Sequence, residues 1–407
     1  MAPSTRSMQR TIAMVVAIAL AGLAAAGALA ALRRFPGPQG DGTSITPYGM
    51  KVTPASTSEK LGERPYGMAL SPDGDHVLIA NAGVYRQSVM LVDARTGLPS
   101  QEIVYPSPQT VSWGVAWSPG GNRAYASDPA NDRIHVFKLG DGRLHKRPSL
   151  ELSKKDSWPT GVAVAPDGGK LYVAEMVGNA LSVIDTSTGE QSRVPLTGKK
   201  CPALAKGVDP SQGRRCNYSY TVALSHDGRW AYVSNWGKKT VSVVNTRREE
   251  LVKTIRVGTH PSAMVLNPAN DELYVANTDS DSISVIDTST NSATRSFSLR
   301  PYPGAQVGAN PNALTVAPDG DTLYVANAGD NDIAVVDLAG EDQLADEVEG
   351  LIPTGWYPTG VALSPSGRRI YVSNAKGLGA GPNVNGPVPT KSPSTTPNQY
   401  IGAMIKG

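Results

Sequence analysis

Pro311-Asn-Ala-Leu-Thr-Val-Ala-Pro-Asp-Gly-Asp-Thr-Leu-Tyr-Val-Ala-Asn327 decides the architecture. Pro318-Asp319-Gly320 interrupts two apolar runs. Proline presets φ and glycine accepts a positive φ, so the triplet is a tight turn. The run after it, Thr322 to Ala326, is rich in β-branched and aromatic residues and reads as a strand. Asn327 ends it. The same order returns in Pro65-Tyr66-Gly67, Ser71-Pro72-Asp73-Gly74 and Asn81, and in Pro159-Thr160-Gly161, Ala165-Pro166-Asp167-Gly168 and Glu175. Variants surround Tyr125, Tyr232, Tyr274 and Tyr371. The residues that close the motif are Asn81, Asp128, Glu175, Asn235, Asn277, Asn327 and Asn374.

Each unit continues with a third strand, such as Leu181 to Asp185 or Ile283 to Asp287, then a polar turn and a weaker fourth strand. Four short antiparallel strands per repeat predict propeller blades. The expected fold is all-β: a seven-bladed β-propeller of four-stranded antiparallel blades over residues 48–407. An open solenoid is the rival, but seven blades close a ring. After Asn374 a Gly/Pro-rich stretch, Lys376 to Gln399, delays the chain. The segment Met50 to Leu61 is expected to pair with Tyr400 to Ile405 and complete the seventh blade, because an unpaired edge would otherwise stay exposed.

The first residues differ. Arg6 and Arg10 precede an apolar run, Ile12 to Leu32, that Arg33 and Arg34 follow. Residues 1–34 read as a cleaved secretory signal or as an uncleaved anchor that spans the membrane at 12–32. Either places the remainder in the periplasm or outside the cell. Residues 35–47 read as a linker. The whole chain carries a formal net charge of +3, which makes no case for nucleic acid or for a membrane surface beyond the N-terminal segment.

The repeat, in the form Tyr-Val-Ala/Ser-Asn, resembles the YVTN-repeat β-propeller family. The tail Asn374 to Asn383, followed by Tyr400 to Gly407, resembles the junction in bacterial proteins that fuse such a propeller to a phosphoesterase domain of the alkaline-phosphatase type. The resemblance implies an accessory propeller, because that domain's metal-binding and nucleophilic residues have no counterpart here.

Strand direction places the motif-closing residues and the loops that lead into each blade on one face. Three insertions share that face: Thr197 to Ser219, Arg300 to Asn310 and Ala375 to Gln399. Insertions confined to one face of a repeat array mark a binding face. Trp158, Trp236, His260, Trp356 and Tyr357 are expected there, beside Trp113. A small molecule, an unknown protein or a polyanion is the expected partner. Lys199, Lys200, Lys206, Arg214 and Arg215 give the first insertion a basic character, and the opposite face carries the acidic run Glu341 to Glu349.

Five motif-closing positions hold Asn, whereas Asp128 and Glu175 are acidic. Oxygen donors of these types suit a hard cation such as Ca²⁺. The same side chains can instead satisfy loop N–H groups. Cys201 and Cys216 lie in the first insertion. Export favours a disulfide, which would close a loop of about 15 residues and contribute on the order of 3 kcal/mol. A zinc pair lacks further ligands. No Gly-x-Ser-x-Gly elbow or Cys-x-x-Cys-His motif occurs. Two functions stand against each other: a binding or scaffold module, and a metal-dependent lactonase or hydrolase acting in the central channel. Fold alone does not choose between them.

Overall fold

The computed structural model describes residues 37–46, 51–56, 58–83, 86–197, 216–300, 308–338 and 347–377. Among them, six sheets have four strands in chain order. They span residues 65–105 (blade 1), 115–151 (blade 2), 159–195 (blade 3), 219–256 (blade 4), 261–298 (blade 5) and 311–353 (blade 6). Blade 7 has two described strands, Pro358–Leu363 and Ile370–Asn374. Six blades meet the expectation of four strands, and the seventh shows two strands among the described residues.

The core shows why the units form a ring. It is divided into seven apolar layers, one between each pair of neighbouring blades. Strand periodicity supplies both sides of every layer, since successive residues point to opposite faces. In Trp230–Asn235, Ala231 and Val233 face blade 3, while Tyr232 faces blade 5. Tyr371 of blade 7 packs with Val77, Ile79 and Met90 of blade 1. The Tyr371 hydroxyl donates to Ala94 O at 2.7 Å, and Thr359 Oγ1 donates to Pro65 O. Blade 7 therefore meets blade 1 through its two described strands.

The turn chemistry is as the sequence requires. Gly74 has φ +76° and its N–H donates to Ser71 O at 2.9 Å. Asp73 holds the turn by accepting from Ser71 Oγ and from Asp75 N.

Lys51–Val52 belongs to the segment expected to pair with Tyr400 to Ile405. These residues pair with Ser44–Ile45, which pairs with Gly37–Pro38, in a small sheet within and beside the expected linker. Ala55 N donates to Pro353 O, at the outer strand of blade 6. Tyr400 to Ile405 lies outside the described residues. So do the apolar run 12–32, most of each of the three insertions, and Cys201. No helix among the described residues is long and apolar enough to cross a membrane. Cys216 is buried, and the described residues include no free cysteine.

Candidate functional site

In six blades the motif-closing residue sits opposite the first residue of the blade, for example Asn81 opposite Pro65 and Glu175 opposite Pro159. That end of the ring is one face, as strand direction requires. The side chains themselves, however, point into the fold. Asn81, Asp128, Glu175, Asn235 and Asn277 are fully buried, and Asn327 nearly so. Asn81 Nδ2 donates to Ser88 Oγ at 3.0 Å, Asn235 Nδ2 to Ser242 Oγ at 3.0 Å, and Asn277 Nδ2 to Ser284 Oγ at 3.0 Å. Each serine lies seven residues on, on the third strand. Asn327 instead donates to Asp332 at 2.9 Å. Asn374 is half-buried beside Gly355.

The two acidic members are engaged more fully. Asp128 accepts from Thr110 N, Thr110 Oγ1, Asn131 Nδ2 and Arg133 Nε. Glu175 accepts from Ser182 Oγ at 2.5 Å and from Arg193 Nε at 2.9 Å. Lone pairs committed to an arginine and a hydroxyl make a poor cage for Ca²⁺, which takes six to eight oxygens. The two carboxylates do not meet. No group of three His, Cys, Asp or Glu poised for a metal occurs among the described residues. The donor set therefore fits structural clamps, and no metal step is derived from it.

The cavity lies at the centre of the ring, with a volume of about 820 Å³. A repeated backbone device builds its wall. The residue before each blade's first strand is left-handed in six blades: Arg64, Trp158, Tyr218, His260, Asn310 and Tyr357, with φ from 50° to 63°. Such a conformation is uncommon for bulky residues and persists where the surroundings fix it. Here each carbonyl is held by the N–H just past the motif-closing residue, as in Trp236 N to Tyr218 O at 3.0 Å and Thr278 N to His260 O at 3.1 Å. One extra residue then bulges the inner strand in the same six blades. Bulges of this kind re-aim side chains. The residue after the first proline or serine of the blade is the one that lies in this stretch.

Those positions are Tyr66, Trp113, Thr160, Tyr220, Ser262, Asn312 and Thr359, and they divide the channel into two walls. On one side Trp113 stacks on Tyr220, with ring centroids 4.9 Å apart, and Tyr66 stands edge-on to Trp113 at 6.2 Å. Thr160 of the intervening blade is small enough to let them meet. It is buried, and donates to Ala174 O and Ser219 O. On the other side Ser262 donates to Pro311 O, and Thr359 donates to Pro65 O. Asn312 Oδ1 and Trp113 Nε1 are buried without a partner. Burial pushes the Tyr220 phenol well up, so it is a neutral hydroxyl at any working pH.

At the mouth, His260 stacks on Trp236 with centroids 4.2 Å apart, and His260 Nδ1 lies 2.5 Å from Asp279 Oδ2. Lys376 Nζ lies 4.7 Å above Trp356 and 4.4 Å above Tyr357. Sequence reading placed Trp236, His260 and Trp356 on this face, and the structure brings the first two into contact. Trp158 is exposed and outside the cavity wall. Asp279, Tyr66 and Tyr220 were missed. The signal for the two tyrosines was present, as the variable middle residue of the first tripeptide in each blade.

Residues 45–298 and 287–378 match the family described as Lactonase, 7-bladed beta-propeller. The chain belongs to that family. A seven-bladed family and seven interblade layers agree on the ring. The seven-bladed beta-propeller protein Rv1057 of Mycobacterium tuberculosis is 26% identical over 341 residues, 76% of this chain and 79% of that protein. The uncharacterized protein YncE of Salmonella typhimurium is 23% identical over 270 residues, 64% of this chain and 69% of that one. Among solved structures, Kuenenia stuttgartiensis hydrazine synthase superposes with a TM-score of 0.61 at 20% identity, covering 79% of this chain and 96% of that one. A streptogramin B lyase superposes with a TM-score of 0.60 at 14% identity, covering 80% and 94%. These likenesses carry the fold alone.

Proposed function

We propose that this member of the lactonase-type propellers is an exported module that binds a small organic molecule in its central channel. The observation that carries this reading is the asymmetric wall: an aromatic side built by Tyr66, Trp113 and Tyr220 faces a polar side built by Ser262, Asn312 and Thr359. Small-molecule sites combine apolar and aromatic lining with a few placed polar groups. Export is supported by Arg6, Arg10 and the apolar run 12–32. The likeness of the tail to propeller–phosphoesterase fusions supports an accessory role, which reading of the coding DNA past Gly407 tests. For the channel itself, intrinsic tryptophan fluorescence titrated with a library of lactones and organic acids is the direct experiment. Saturable quenching that disappears in Tyr220→Ala supports the reading. Titrations that are flat for every compound in the intact protein overturn it.

A second reading is enzymatic, and the His260–Asp279 pair favours it. The family carries the name lactonase, and a related fold carries the name streptogramin B lyase. In this reading His260, oriented by Asp279, takes a proton from water. The resulting hydroxide adds to a lactone carbonyl, the ring C–O bond breaks, and the proton passes to the leaving alkoxide. Lactone turnover that falls at least 100-fold in His260→Gln supports it. Turnover that is undetectable in the parent protein removes it and leaves the binding reading standing. The dyad sits at the mouth, away from Asp128 and Glu175.

A further inference from the structure

Blades 7 and 1 meet at a corner of the channel mouth that carries two cations. Arg64 Nη2 donates to the Tyr66 hydroxyl at 2.8 Å, and its guanidinium lies 5.1 Å from the Tyr66 ring centroid. Lys376 lies over Trp356 and Tyr357. Neither forms an ion pair among the described residues. Arg64 Nε is buried and unpartnered. Glu63, next in sequence, lies against Gly83, and its charge acts on Arg86. Asp279, which acts on Tyr357 from across the mouth, is paired with His260. Residues 301–307 and 378–407 contain no Asp or Glu at all.

Burial, and then the nearby Arg64 charge, hold Lys376 below the usual lysine range. Two half-buried like charges without a counter-ion are costly unless something of opposite sign joins them. Their aromatic partners Tyr66 and Tyr357 line the cavity, so the space that would accept an anion is continuous with the aromatic wall.

We propose that Arg64 and Lys376 form a carboxylate subsite, which selects an organic acid with a charged head at this corner and an aromatic or aliphatic body along Tyr66, Trp113 and Tyr220. This rests on the channel being a ligand site, and it names the ligand class. A planar guanidinium suits a carboxylate, and an ammonium adds a point charge.

Matched acid and amide pairs test it: phenylacetate, 4-phenylbutyrate, indole-3-acetate and octanoate, each against its primary amide, titrated calorimetrically into the full chain. The expected result is that at least one acid binds tenfold or more tighter than its amide. Arg64→Gln and Lys376→Gln should each remove most of that margin, while amide binding remains measurable and the melting temperature does not fall. Amide binding is the internal check that a variant is folded with its channel intact. Acids and amides that bind alike overturn the subsite but keep the channel reading. Acids and amides that all fail to bind the parent protein overturn both.

Discussion

Asp128 lies 3.4 Å from His135, its neighbour seven residues on, where four other blades place a serine hydrogen-bonded to the strand-closing residue. Blade 2 has therefore exchanged an amide–hydroxyl pair for a carboxylate–imidazole pair and has added Arg133. Burial lowers the His135 pKa, against the pull of Asp128, and the ring stacks on Tyr105 with centroids 4.0 Å apart. Asp128→Asn should cost about 2 kcal/mol or more, because Arg133 and Thr110 lose a charged acceptor. His135→Ser should cost its own packing. The double variant recreates the pair found in blades 1, 4 and 5, so the two losses should be less than additive by about 1 kcal/mol. Urea denaturation of the four proteins measures this coupling. Strict additivity would show that the pair is not one unit. Calcium should shift none of the four midpoints.

Gly114 is where the inner strands of blades 2 and 3 come closest. A Cβ there would stand 1.6 Å from Thr160 O and 2.7 Å from Thr160 C. Both are backbone atoms with nowhere to retreat. Gly114→Ala should therefore cost about 3 kcal/mol or more, or prevent folding. Gly120, six residues on in the turn, has nothing within 4 Å of its ideal Cβ. Gly120→Ala should be neutral, or stabilising by about 0.5 kcal/mol, through the unfolded chain. Melting curves that show equal losses for the two would mean that the blade approach is not the cause.

The ring was legible because two local signals coincide in each repeat. Pro-Asp-Gly in blades 1, 3 and 6, and its variants in the others, fix the turn, and the alternation in strands such as Leu323–Ala326 requires apolar neighbours on both faces. The site was harder to read. Asp128 and Glu175 stood out because they break a pattern, but the break reports only on their partners Arg133 and Arg193, which sequence spacing did not link to them. Tyr66, Trp113 and Tyr220 belong to one structural ring, yet they lie more than 40 residues apart in blades whose lead-in sequences differ. In blades 1 and 4 a bulge preceded by a left-handed residue places the tyrosine, and neither Arg64 nor Tyr218 is a residue type that announces that backbone; blade 2 brings Trp113 to the same wall without that device. His260 and Trp236 were placed on the right face by strand direction alone. Asp279 was not, because it follows the motif instead of belonging to it.

Asp332 should make stability depend on pH. Burial pushes its pKa up to about 6, and Asp330 adds to the rise, against a hydrogen bond from Asn327. The unfolded value is about 4. A raised folded pKa means that the native state binds the extra proton, so the contribution is full below about pH 4 and is lost as pH rises through 6. Above pH 7 the buried ionised carboxylate should cost on the order of 1–3 kcal/mol. Asp332→Asn should therefore stabilise the protein at pH 7.5 and have little effect at pH 4. Urea midpoints of both proteins at intervals between these limits should diverge across pH 4 to 6. A difference that stays constant with pH would remove Asp332 as the titrating group.

Thr359 closes the ring in the way that Thr160 joins blades 3 and 4. Each threonine sits one residue into the first strand of its blade and donates to the carbonyl that opens the next blade, Pro65 O for Thr359 and Ser219 O for Thr160. Valine keeps the shape of either side chain and removes the donor. If the junction of blades 7 and 1 is as much a part of the cooperative unit as any other, Thr359→Val and Thr160→Val should cost similar amounts, about 1 kcal/mol each. Tyr371→Phe, which removes the 2.7 Å bond to Ala94 O, should cost a like amount at the same junction. The decisive comparison is between the junctions. A silent Thr359→Val beside a costly Thr160→Val would mean that blades 7 and 1 part before the rest of the ring unfolds. Amide exchange would then find blade 7 opening at a lower free energy than blade 3.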